Sequence, residues 1–197
     1  MYSEPKREKK LPPSQRAIGK ILRWGIDHPG IASDTPHINL DRYRLIVDGE
    51  VNNPVQLDWK QVLSLPKAIS VSDFHCVEGW SVLDCKWEGI RFRELEKLVK
   101  PKDTAKAVTL ECADAYSTSL YREELSADDV LLAYRLNDAE LEEGYGFPLR
   151  LVAPSKYAYK SALWVVRLRF TRAKELGFWE RRGYSDSANV WTNDRFT

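Results

Sequence analysis

Cysteine, histidine and carboxylate side chains are the groups in this chain that could hold a metal or attack a substrate, and their spacing limits the chemistry. The three histidines are His28, His37 and His75, and of these His75 alone adjoins another candidate ligand, Cys76. Cys76, Cys85 and Cys112 stand nine and twenty-seven residues apart, without the paired C-x2-4-C or the H-x3-5-H of structural zinc. A zinc-supported domain would have to rest on His75 and Cys76 and is a weak reading. There is no C-x-x-C-H for covalent haem and no G-x-S-x-G for a serine nucleophile. Neither G-x-G-x-x-G nor G-x-x-x-x-G-K-[ST] occurs, so nucleotide chemistry has no support. What remains is Phe74-His75-Cys76-Val77-Glu78-Gly79-Trp80-Ser81, a strand end running into a loop, where sites are commonly built. By residue type alone, Cys76 is a small core hydrophobe or a reactive thiol, Glu78 a solvated or a working carboxylate, and Trp80 a core or a pocket indole.

Such groups need elements to position them. Tyr43 to Val47 is rich in β-formers, Asp48-Gly49 is a turn signal, and Glu50 to Leu57 reads as the return arm of a hairpin. Asp58 with Gln61 forms a capping-box pattern that opens a short helix, which Pro66 stops. Ala68 to Phe74 alternates as a strand and delivers the chain to His75-Cys76. Phe92, Leu95, Leu98 and Val99 then recur at helical spacing before Pro101. Further strands are expected over 106–113, 130–136, 148–153 and 164–170, with a short helix or turn around Lys156 to Ala162. Long helices do not alternate with these strands, so a doubly wound parallel sheet is disfavoured and the expectation is an α+β domain with a mixed sheet.

Two blocks, Cys76-Val77-Glu78-Gly79-Trp80-Ser81 and Trp87-x-Gly89-x-x-Phe92, resemble the molybdopterin-binding domain of the sulfite oxidase family. The resemblance continues through Ala113-Asp114-Ala115-Tyr116-Ser117-Thr118-Ser119-Leu120, Leu131-Leu132-Ala133-Tyr134, and the run from Pro148 to Val165 containing Pro148-Leu149-Arg150-Leu151-Val152-Ala153-Pro154 and Lys160-Ser161. It ends with Gly177-Phe178-Trp179-Glu180-x-Arg182-Gly183-Tyr184, so the blocks span about residues 38–191 in the family's order. The C-V-E-G-W-S form looks closer to the single-domain branch that includes the protein-methionine-sulfoxide reductase catalytic subunit than to animal or plant sulfite oxidases.

The resemblance implies a sulfite-oxidase-type fold and a mononuclear molybdenum centre held by molybdopterin. By position, Cys76 would be the one protein ligand to molybdenum, a role that suits a soft, strongly donating thiolate. Glu78 and Trp80, two and four residues on, would face the reacting side, the carboxylate handling a proton and the indole excluding water. Arg150 matches an arginine that grips the pterin phosphate, and Lys160 with Ser161-Ala162-Leu163 matches the second phosphate contact, a turn offering backbone N–H groups. Without the resemblance, Arg150 would read as an outward strand residue and Lys160 as an ordinary helix start. Tyr145 stands where relatives often carry Asn or His against the pterin, and Cys112 where a Thr contact is found. Trp24-Gly25 is the expected N-terminal pterin contact. Cys85 falls in a variable loop after Trp80, without a family counterpart, and is read as structural.

The implied activity is two-electron oxygen-atom transfer to or from a small molecule or an exposed sulfoxide-type side chain. Electrons would pass through a separate partner, a cytochrome, a flavoprotein or a quinone-linked protein. The competing class is a non-catalytic pterin-binding or electron-transfer module, against which the presence of Cys76 argues. With 197 residues, 43% of them hydrophobic and 11% aromatic, the chain can bury a substantial core. A net charge of +1 offers no general attraction to nucleic acid. Residues 1–24 carry seven basic and two acidic side chains, so residues 1–20 read as a basic flexible arm ahead of one domain over 21–197. No apolar run suits a membrane span or a cleavable signal, and three cysteines cannot all pair, so a cytoplasmic protein with reduced thiols is expected. The resemblance adds the expectation of a monomer, because the C-terminal dimerisation domain of true sulfite oxidases has no counterpart here.

Overall fold

The computed structural model describes residues 10–27 and 35–197, so His28 lies outside the described residues. In chain order the elements begin with β1 (Arg16–Ala17), β2 (Arg44–Gly49), β3 (Val55–Asp58), α1 (Trp59–Ser64), β4 (Lys67–His75) and β5 (Trp80–Arg91). They continue with α2 (Phe92–Val99), β6 (Ala107–Cys112), β7 (Ser117–Tyr121), α3 (Arg122–Leu125) and β8 (Leu131–Leu136). The last are β9 (Ala139–Glu140), β10 (Arg150–Val152) and β11 (Val165–Thr171). One sheet has the order β1-β5-β8-β10, with β4 also on β5 and β9 on β8, and the other runs β3-β2-β11-β6-β7. β1 with β5 and β2 with β11 are parallel and the remaining pairs antiparallel, which makes both sheets mixed and the fold α+β as expected.

The main core draws on both sheets and on α2, with Leu45, Ile90, Leu95, Leu110, Leu132 and Phe170 among its buried members. A second cluster of Phe74, Trp80, Cys85, Trp87, Leu131 and Val152 covers the opposite face of the first sheet. Successive residues of β8 enter different clusters, Leu132 and Tyr134 the main core, Leu131 and Ala133 the second. A strand buried on both faces reads as a continuous apolar run, which is what Leu131-Leu132-Ala133-Tyr134 supplies. Short helices fill the joints. Asp58 Oδ1 accepts the Gln61 N–H at 2.8 Å while Gln61 Oε1 accepts the Asp58 N–H at 2.9 Å, the reciprocal cap that the sequence pattern predicts. Among the described residues no helix is long and apolar enough to cross a membrane.

Three expectations need correction. β2 continues through Asp48 and Gly49 and the return strand β3 starts only at Val55, so the hairpin turns over residues 50–54 rather than at Asp48-Gly49. Cys85 is not in a loop: it is buried in β5, the longest strand, opposite Ser72 of β4. Residues 1–20 are not wholly a free arm, because Arg16–Ala17 pairs with Trp80–Ser81 and anchors the chain to the first sheet.

Candidate active site

β4 and β5 are joined by the four residues Cys76 to Gly79, so the two strands deliver Cys76 at the tip of a hairpin. The Cys76 N–H donates to Trp80 O at 2.8 Å and the Gly79 N–H to Cys76 O at 3.1 Å, closing the loop on itself. Gly79 has φ of +91°, which calls for glycine, and a Cβ there would press on Ser14 O at 3.1 Å. The Cys76 thiol, half-buried, points into a cavity of about 470 Å³ lined also by Glu78 and Trp80. Glu78 Oε2 lies 4.0 Å from Cys76 Sγ and accepts the Trp80 indole N–H at 3.2 Å, which holds carboxylate, indole and thiol together. Burial pushes the free Cys76 thiol up to about 12, so the metal-free protein carries it protonated. A metal would remove that proton on binding.

Arg150 enters the same cavity from β10 and is 2% exposed. Its guanidinium donates to three carbonyls, Tyr145 O at 3.0 Å and Ser161 O and Leu151 O at 3.4 Å. It also lies over the Phe74 and Trp87 rings at 5.0 and 5.2 Å. No carboxylate of the described residues pairs with it. Burial lowers its pKa to about 9, still above neutrality, so the cavity contains an uncompensated cation. Ser161, Ala162 and Leu163 line the wall beside it, and the Ala162 and Leu163 N–H groups meet no backbone acceptor among the described residues. Gly146, at φ of +98°, allows the close approach: a Cβ on it would sit 2.9 Å from Leu163 Cδ2 and 3.1 Å from Arg150 Cβ. A buried guanidinium beside open N–H groups is an anion site.

Not every expected residue reaches the cavity. Trp24 lines it, with its N–H on Gly144 O at 3.0 Å, but Gly25 turns away beside Thr35. Cys112 is packed in the main core, and the turn it opens places Asp114 and Tyr116 at the cavity instead. Tyr145 acts from behind, its carbonyl on Arg150 and its hydroxyl on Ile21 O at 3.1 Å. Lys160 does not line the cavity: it is 1% exposed and forms an ion pair with Glu180, with Asp186 Oδ1 at 3.3 Å. His75 does not line the cavity either: it is buried, with Nδ1 on Ser81 Oγ at 2.7 Å. Among the described residues no three His, Cys, Asp or Glu side chains gather as a metal site, so a metal at Cys76 must bring most of its donors with it.

Sequence reasoning missed the far wall. Tyr159, Phe178, Trp179, Arg182 and Tyr184 line the cavity from the segments on either side of the Lys160–Glu180 pair. The signal was there: a dense run of aromatic and charged residues over 178–184 without helical or strand periodicity marks a working loop.

Comparison with known proteins bears on the family and the fold. Residues 32–179 match the oxidoreductase molybdopterin binding domain. YuiH, an uncharacterized oxidoreductase of Bacillus subtilis, is 35% identical over 189 residues, 95% of this chain and 92% of that one. The protein-methionine-sulfoxide reductase catalytic subunit MsrP of Campylobacter jejuni is 29% identical over 193 residues, 88% of this chain and 65% of its own. The crystal structure of the sulfane dehydrogenase SoxCD from Paracoccus pantotrophus superposes with a TM-score of 0.68 at 22% identity, covering 81% of this chain and 47% of that one. The fold is thus that of SoxCD, and the chain belongs to the oxidoreductase molybdopterin binding domain family.

Proposed function

We propose that this enzyme binds molybdenum through molybdopterin and transfers an oxygen atom from a sulfoxide-type substrate, with electrons supplied by a separate cytochrome, flavoprotein or quinone-linked protein. One observation carries the reading: a single cavity holds both a soft thiol at a hairpin tip and a buried, unpaired guanidinium beside open N–H groups. That donor set fits a ligand with a metal and an anionic phosphate. Cys76 would hold the metal as a thiolate, and Arg150 with the Ala162 and Leu163 amides would hold the phosphate. When bound, the cofactor supplies two-electron redox chemistry at the metal.

The chain's own residues do the rest. Glu78 keeps Oε2 near the ligand sulfur, where it can hold or release the proton that accompanies reduction of a sulfoxide. Trp80, Phe178, Trp179 and Tyr184 wall the cavity with rings, which exclude water and favour sulfur contacts. The methionine-sulfoxide reductase subunit among the relatives supports the choice of substrate. The reading extends to a monomer in the cytoplasm, and the three free thiols suit a reducing compartment.

Protein purified from a host that makes the cofactor tests this. The wild type should contain molybdenum, show a Mo(V) EPR signal and reduce methionine sulfoxide with an artificial electron donor. Cys76→Ser should retain the thermal stability of the fold, since the volume change is small, and lose turnover. Zinc in place of molybdenum, or turnover in Cys76→Ser above about a tenth of wild type, would refute the assignment.

A further inference from the structure

We propose that Arg195, outside the cavity, is a positioning residue for Cys76: its guanidinium locks the back of the ligand loop to the N-terminal segment and places a fixed positive charge behind the sulfur. The inference rests on the reading of Cys76 as the metal ligand.

A loop that presents a metal ligand must keep one shape, and its buried carbonyls need partners. Cys76 O accepts the Gly79 N–H and Gln15 Nε2, each at 3.1 Å, and Gly79 O accepts the Arg16 N–H at 2.9 Å. Val77 O accepts from Arg195 Nη1. The same guanidinium sends Nη2 to Ser14 O at 3.0 Å and Nε to Asn193 Oδ1 at 2.9 Å, and lies over the Tyr157 ring at 5.3 Å. Asn193 in turn accepts the Tyr157 hydroxyl at 3.1 Å, so the fork is itself held in place. Beneath the loop the support is continuous, with Ser81 Oγ donating to Gln15 Oε1 at 2.9 Å and meeting His75 Nδ1 at 2.7 Å. One planar group therefore ties Ser14, Val77 and Asn193, three stretches far apart in sequence.

Charge separates this from a simple brace. Every acceptor of Arg195 is a neutral carbonyl or amide oxygen, and no Asp or Glu of the described residues forms an ion pair with it. Its Nη1 sits on Val77 O, the carbonyl of the residue that follows Cys76, so the charge lies against the ligand loop itself. Each electron added to a metal at Cys76 makes the centre more negative, so a fixed cation favours the reduced state and raises the potential. Lysine would keep the charge but cannot span two carbonyls as a planar fork, whereas glutamine keeps a donor and loses the charge.

Two measurements on wild type, Arg195→Lys and Arg195→Gln decide the matter. In cofactor-free protein, amide hydrogen exchange over residues 76–81 should be faster in both variants by about tenfold or more, the loss expected for one charged hydrogen bond. In loaded protein, molybdenum content should match wild type, while the midpoint potential from EPR-monitored titration falls in Arg195→Gln and stays near wild type in Arg195→Lys. Wild-type exchange in both variants overturns the proposal, as does an unchanged potential in Arg195→Gln. Should Arg195→Gln not fold, the exchange and potential of Arg195→Lys decide alone, with slow exchange or a lowered potential counting against it. A wild type that binds no molybdenum would defeat the functional reading, while the exchange comparison would still judge Arg195.

Discussion

A guanidinium buried without a carboxylate costs the folded state a desolvation penalty that neutral carbonyls and rings offset only in part, and Arg150 is such a group. Arg150→Met, similar in length and apolar, should therefore stabilise the cofactor-free protein, by about 1–3 kcal/mol in denaturant titration, while cofactor occupancy falls at limiting supply. The pH dependence has a definite sign. The native pKa of about 9 is below the unfolded value, so the penalty is complete below about pH 9 and is relieved as pH rises above it. The advantage of the Met variant should shrink over the same range, and a constant difference would contradict the cause. At this scale the placement of Cys76, Glu78, Trp80 and Arg150 at one cavity was legible through the family resemblance, with the strand end adding support for the first three alone. Cys112 and Lys160 were not. A cysteine at the end of β6 can face core or cavity by a single step of the strand, and nothing near Lys160 in sequence announces Glu180 as its partner.

That ion pair belongs to the elements. Lys160 ends the turn that presents Ser161, Ala162 and Leu163, and Glu180 opens the turn that presents Arg182 and Tyr184, so one buried bond sets two cavity walls against each other. Thr118 Oγ1 adds a hydrogen bond to Glu180 Oε1 at 2.6 Å. Lys160→Met strands a buried carboxylate and should cost about 3–5 kcal/mol, whereas Lys160→Met with Glu180→Leu should recover much of that loss. A double variant whose cost in urea unfolding equals the summed costs of Lys160→Met and Glu180→Leu alone would show that the two do not interact. β4, α1 and α2 were readable because alternation, a reciprocal cap and helical spacing are local signals. β5 escaped because its period breaks: the register shifts opposite Asp73, where Asp84 takes φ of +54°. Trp80 and Val82 face inward before that bulge and Cys85 and Trp87 after it, so the alternation changes parity within one strand.

At the scale of the whole molecule, the cavity is walled by segments from residue 21 to residue 184, and no single element contains it. A ligand bound there would join these segments and stabilise the native state by mass action, roughly 4 kcal/mol when supplied at about a thousand times its dissociation constant. For a domain of this size that corresponds to a rise of about 8–16 °C in melting temperature. Calorimetry of loaded and cofactor-free protein checks this, and coincident transitions would mean that the ligand does not bridge the walls. The sheet class was legible in advance because strands without intervening long helices leave few alternatives. The closure of the cavity was not, since it depends on contacts between segments more than a hundred residues apart, such as Tyr145 with Ile21 and Arg195 with Ser14.

The two turns that complete the site, and the arginine that braces Cys76 from behind, all follow that cysteine in the chain, the last by more than a hundred residues. Synthesis proceeds from the N-terminus at about 5–20 residues per second, so the thiol emerges well before there is any cavity to shelter it. For that interval the nascent protein has a sulfur without a pocket, open to oxidation or to a stray metal. On the proposed reading, cofactor delivery would be an event of maturation that follows chain completion, and Cys76 would have to stay reduced until the fold has closed around it.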